Sequence, residues 1–206
     1  MLALAGSLAL AGAARVARAD GDGAGEKPVI AAGREHAGAF DQPFAIGGYT
    51  QGWVGAYDAA GLGGRARWEF FQHKLGVETF AEALMVDWPA GATRRDVPIG
   101  FNLYAPLALG RRVRVRALAG FCAVFSFIES SQAGAPPAND VLFGVHGGAG
   151  LEVALAGPFV WFADAQAVWY LGHDRTAQDW TGSVSGSFGQ AVVFQPTTGL
   201  ELAFGR

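Results

Sequence analysis

The last nineteen residues, Phe188 to Arg206, constrain the fold most. Phe188, Val192, Phe194, Thr198, Leu200, Leu202 and Phe204 occupy even positions. Gly189, Gln195, Thr197, Gly199 and Glu201 occupy odd ones. Successive side chains on a strand point to opposite faces, so this segment has one apolar face and one polar face. The same pattern recurs at least five more times upstream. Repeated two-faced strands predict a closed antiparallel barrel, apolar outside and polar inside.

Eight strands are expected, over roughly 44–57, 65–72, 74–87, 94–108, 112–127, 140–155, 158–172 and 187–205. In 112–127, Val113, Val115, Phe121, Phe125 and Phe127 oppose Arg112, Arg114 and Arg116. In 158–172, Phe159, Trp161, Trp169 and Leu171 oppose Asp164, Gln166 and Tyr170. Strand 65–72 is short, and it is kept because seven strands would break the parity of the loops. Tight connections are expected at Leu109-Gly110, Ala156-Gly157 and Gln72-His73, and longer polar loops at 58–64, 88–93, 128–139 and 173–186. Short turns on one side and long loops on the other are the habit of outer-membrane barrels. Trp88, Phe159, Trp161 and Trp169 fall near strand ends, where such barrels carry aromatic girdles. Pro98, Pro106 and Pro196 lie inside strands, and local ladder defects are expected there because proline has no N–H to donate.

The N-terminal region carries an address rather than a fold. MLALAGSLALAGAA followed by Ala17-Arg18-Ala19 reads as a signal peptide over 1–19, too short to span a membrane. It lacks the usual basic start, which points to an initiator upstream. Residues 20–42 are rich in Gly and charge without periodicity and read as a disordered periplasmic leader, leaving 43–206 as the barrel. The longest apolar run elsewhere, Ala117 to Ile128, is too short for a helical span, whereas a barrel strand needs only about ten residues. A net charge of −3 argues against a nucleic-acid partner. Cys122 is the single cysteine, so no intrachain disulfide forms.

The chain resembles the small eight-stranded outer-membrane barrels, a group that includes the OmpA transmembrane domain and OmpX-like and OmpW-like proteins. The resemblance covers 44–206 and rests on strand count, loop parity and the closing strand. It implies an all-β, eight-stranded antiparallel up-and-down transmembrane β-barrel in the bacterial outer membrane. Outer-membrane lipids and the barrel-assembly machinery are the implied partners, and the surface-loop partner is unspecified. Thr198, Leu200, Leu202 and Phe204 match the closing-strand signal, but Gly205-Arg206 follow where the family ends on the aromatic.

The expected inward charges are Arg67, Glu69, Glu78, Glu82, Arg94, Asp96, Arg112, Arg114, Arg116, Glu152, Asp164 and Glu201. Mixed signs inside a narrow barrel must pair, because isolated burial is costly. Folding 112–127 onto 140–155 about the middle of their loop places Arg116 opposite Glu152 and Cys122 near His146. The plain reading is a salt-bridge network that fills the lumen; the sharper one is a gate or selectivity site for small ions. The Cys122–His146 pair has the form of a catalytic dyad but would sit far from any lipid substrate. His173-Asp174-Arg175 reads as loop anchoring at the outer mouth, or as a site for a lipid phosphate or a metal. No P-loop, hydrolase carboxylate pair or metal-spaced Cys/His cluster occurs, so no catalytic residue, metal or cofactor is expected. A non-enzymatic structural or surface-interaction role follows. The alternatives are a narrow channel for small solutes or ions and a soluble lipocalin-like carrier. The carrier would need Val113, Phe121, Phe125 and Phe127 in its cavity.

Overall fold

The computed structural model describes residues 38–55, 58–86, 92–130, 138–171 and 192–205. Eight strands alternate direction: β1 (Phe44–Gly55), β2 (Ala59–Phe70), β3 (Leu75–Val86), β4 (Ala92–Ala108), β5 (Val113–Ser130), β6 (Ala138–Ala154), β7 (Phe159–Leu171) and β8 (Val192–Phe204). Each pairs antiparallel with its sequence neighbours, and β8 pairs back to β1, closing the sheet. Closure leaves no unpaired edge, which a barrel in lipid requires.

Burial follows the alternation. Leu62, Ile99, Phe121, Trp169, Phe194 and Leu200 point outward and are exposed, while Arg67, Glu78, Arg116, Glu152 and Glu201 point inward and are buried. Phe121, Phe125 and Phe127, the side chains a lipocalin-like cavity would need, are on the outside, so that orientation is reversed. Three of the outward threonines satisfy their hydroxyls without water. Thr50, Thr79 and Thr198 donate to the backbone carbonyls of Thr198, Ala66 and Phe162.

Three strands differ most from the sequence expectation. β2 was expected as a short strand from residue 65, with 58–64 as a loop, yet Ala59–Gly64 pair with both β1 and β3. AAGLGG has too few large side chains to display an alternation, but a ladder is built on backbone groups and does not need them. β5 runs to Ser130 and β6 starts at Ala138, so this hairpin is longer than the alternation suggested. The signal segment, residues 20–37 of the expected leader, Trp88, Phe188 and the whole 173–186 loop, with His173-Asp174-Arg175 in it, lie outside the described residues.

Pro98 and Pro196 interrupt ladders without shifting them, whereas the β4–β5 ladder runs unbroken past Pro106. β3 and β4 pair Ala81 with Ile99 and next Leu84 with Asp96, keeping one register across Pro98. β1 and β8 pair Gln51 with Thr197 and next Val54 with Phe194, with Pro196 in the gap. Each gap falls where the missing proline N–H would have faced the neighbouring strand. On its other side, Pro196 stays paired with Ala165 of β7.

The three short connections, 71–74, 109–112 and 155–158, lie at one end, called here the turn end. In the first, Phe71, Gln72 and His73 are all left-handed, with φ of 50, 56 and 61°. Such geometry costs roughly 1–2 kcal/mol per non-glycine residue. His73 Nδ1, 2.9 Å from Glu69 Oε2, ties the turn to the lumen. Residues 38–42, assigned to the leader from sequence, are instead ordered at this end. Ala39–Asp41 form a 3-10 turn, and Gly38 N donates to Asp41 Oδ2 at 2.8 Å. The reason is local burial: Ala39 packs with Ala45, Val160 and Ala203, and Phe40 packs against the same cluster.

Candidate functional site

The interior is layered. At the turn end, the small apolar cluster around Ala39 and Val160 forms a base. Above it lies a band of ion pairs. Toward the loop end, Trp53, Leu84, Cys122, Val124, Leu142, Val168, Tyr170 and Val193 form an apolar plug. A uniformly polar inside, expected from the alternation, is therefore only half of the lumen. The plug residues keep the inward phase, but a lumen too narrow for water can be filled by hydrocarbon as well as by charge.

The ion pairs join six strands. Arg65 of β2 reaches Glu201 at 2.5 Å, Asp164 at 2.7 Å and Glu78 at 3.2 Å. Arg67 reaches Glu152 at 2.6 Å, Glu201 at 3.0 Å and Glu69 at 3.4 Å. Arg114 pairs with Glu152 and, at 2.5 Å, with Glu69. Arg116 reaches Asp164 at 2.6 Å, Glu78 at 2.8 Å and Glu152 at 3.7 Å. Each of these four arginines thus bridges at least two acids on different strands, so none of the six strands can slip without breaking ion pairs. Phe162 completes the packing, with its ring centroid 3.2 Å from Arg65 Cζ. Phe40 stacks below Arg114, at 4.4 Å. Arg94 and Asp96, a separate pair at 2.9 Å, sit toward the loop end with Ser126.

Among the described residues the buried charges do not balance, with five arginines against seven carboxylates. Glu82 is the carboxylate held by neutral donors. Tyr49 Oη donates to it at 2.6 Å and Gln195 Nε2 at 3.2 Å, and Gln195 also donates to Gln51. Glu82 and Arg65, whose Nη2 lacks a hydrogen-bond partner, border a cavity of about 10 Å3. That volume holds about one water molecule and passes nothing larger.

Three sequence expectations need correction. Arg112 was placed in the lumen, but β5 begins at Val113 and Arg112 is exposed in the turn. The pairing of β5 with β6 is offset by two: Arg114 faces Glu152 and Arg116 faces Gly150, so the expected Arg116–Glu152 ion pair forms only diagonally, at 3.7 Å. The hairpin axis lies off the centre of the loop, a shift of even parity that keeps every side chain on its own face. Gly150 explains the choice. Arg116 crosses it to reach Asp164 on β7, and a Cβ there would overlap Asp164 Oδ1 and lie 3.0 Å from Arg116 Nε. The same offset separates the third expected pair. His146 faces Gly120 and approaches Asn102 Oδ1 at 2.5 Å, while Cys122 faces Gly144 inside the apolar plug.

Sequence reasoning missed Arg65 and the Tyr49, Gln51 and Gln195 group. Arg65 shares the odd phase of Arg67 and Glu69 and was detectable from it; Tyr49 and Gln51 share the odd phase of β1.

No protein-family model matches the chain, and no curated protein sequence matches it. Solved structures do. Neisserial surface protein A (NspA) matches with a TM-score of 0.58 at 10% identity, over 79% of this chain and 97% of that one. Ail, the attachment invasion locus protein of Yersinia pestis, matches with a TM-score of 0.50 at 15% identity, over 78% and 96%. The same protein in complex with the heparin analogue sucrose octasulfate matches with 0.51 at 14%, over 78% and 96%. The chain has the fold of the small eight-stranded outer-membrane barrels. At such identities the likeness is one of architecture: eight antiparallel strands closed into a barrel.

Proposed function

We propose that the chain is a non-enzymatic barrel of the bacterial outer membrane, acting in envelope structure or in surface interaction through its loop end. The observation that carries this reading is the filled lumen. A base, an ion-pair band and an apolar plug succeed one another along the axis, and the cavity among the ion pairs is of water size. The apolar exterior supports the membrane address, since a band of Leu, Ile, Phe and Trp in water would drive aggregation. The names of the similar structures, a surface protein and an attachment invasion locus protein, support a surface role. Outer-membrane lipids would surround the barrel, and the assembly machinery would read the strand ending at Phe204.

Recordings of single barrels in planar bilayers test the filled lumen. The expected result is a silent bilayer; steady unitary conductance would establish the narrow-channel reading instead. Fractionation tests the address independently. The barrel is expected to need detergent for extraction, and recovery in the soluble fraction without it would defeat the membrane reading.

A further inference from the structure

Among the described strand residues, the outward face carries two charges, Arg95 and Glu129. All other outward side chains are apolar or are Gly, Thr, Asn or Pro. Arg95 makes no ion pair or hydrogen bond among the described residues. Along β4 it lies twelve residues from Leu107 at the turn end. With a rise of about 3.3 Å per residue and a tilt near 40°, that is about 30 Å along the barrel axis. The apolar band of such barrels is about 25 Å tall, so Arg95 stands at the loop-end rim. There its guanidinium can reach headgroups, whereas at the midplane it would face hydrocarbon.

An apolar cleft adjoins it. Arg95 is directly opposite Phe127 of β5, which is opposite Asn139 of β6. One step toward the midplane, Val97, Phe125 and Val141 form the next row. Phe125, Ser126, Phe127, Asn139, Asp140 and Val141 line a cleft of about 270 Å3. Glu129 lies opposite Thr93, one step farther out than Arg95, with no ion pair between the two charges. From Glu129 inward, the order toward the midplane is the cation Arg95 and then an aromatic groove, which is the order of head and tail in an anionic amphiphile seated below Glu129.

We propose that Arg95 and the Phe125–Phe127–Val141 cleft form a binding site for a phosphorylated lipid of the outer leaflet. The guanidinium forks onto the phosphate oxygens, and one acyl chain lies along the cleft. This rests on the outer-membrane reading, which fractionation tests separately.

The test titrates the full chain, folded in dodecyl maltoside, with dioleoyl phosphatidic acid and with dioleoylglycerol, which differ in the phosphate alone. Binding is read by native mass spectrometry. The wild type is expected to prefer phosphatidic acid by about tenfold or more. Arg95→Gln is expected to abolish that preference, and Phe127→Ser to weaken both lipids. Arg111→Gln, at the turn end, is expected to change nothing. All variants are first checked for the folded, heat-modifiable gel mobility. Equal binding of the two lipids, or equal loss with Arg111→Gln, would overturn the site. Competition by millimolar inorganic phosphate that matches the lipid would reduce it to an anion site. A concentration-dependent dimer broken by Phe127→Ser would assign the cleft to a second copy of the chain.

Discussion

Replacing Arg116 with Met is expected to lower the unfolding free energy of the folded barrel by about 3–5 kcal/mol. Arg116 is 1% exposed and lies within 2.6 Å of Asp164 and 2.8 Å of Glu78. Met keeps much of the volume and removes the charge, so the loss reports the uncompensated carboxylates rather than a cavity. Arg65 also contacts Asp164 and Glu78, at 2.7 and 3.2 Å, which holds the effect toward the lower end of the range. Urea unfolding of barrels refolded into phospholipid vesicles measures it. Arg112→Met supplies the contrast, because Arg112 is exposed in the turn, and it is expected to shift stability by no more than about 0.5 kcal/mol. Equal shifts for the two variants would mean that the lumen charges are solvated rather than paired.

Gly150→Ala is expected to cost about 1–3 kcal/mol, large for one methyl group. The added Cβ would overlap Asp164 Oδ1, and Asp164 cannot retreat while it holds Arg65 and Arg116. The steric origin is separable from the general cost of altering a strand. In an Asp164→Ala background the overlap disappears, so the penalty of Gly150→Ala is expected to shrink, with a coupling of at least about 1 kcal/mol in the double-mutant cycle. Strict additivity of the two substitutions would show that Gly150 is required for some reason other than the passage of Arg116 to Asp164.

These predictions turn on contacts of unequal legibility. That Arg116, Glu152 and Asp164 face inward is readable from a period of two, because the pleat forces it. That Arg116 meets Asp164 across Gly150 is not readable, since a shift of even parity changes every partner and leaves every face unchanged. Arg112 shows the limit at a strand end, where alternation continues in the sequence after the ladder has stopped. β2 shows the reverse, because Ala59–Gly64 extend a ladder that their small side chains do not advertise. Pro196 lies between. The missing N–H made the ladder defect foreseeable, but the neighbouring strand that lost the bond depends on which way residue 196 faces in the closed sheet.

Taken alone, the amino-acid sequence determined the class of fold, the number of strands and the sidedness of nearly every strand residue. These are consequences of local geometry: the alternation of side chains and the lengths of the turns. Only the tertiary structure decided the register, the partners of each buried charge and the division of the lumen into an ion-pair band and an apolar plug. Those depend on which strands meet across an interior of fixed width. There Arg65 of β2 touches Glu201 of β8 and Asp164 of β7, residues more than ninety positions away in the chain.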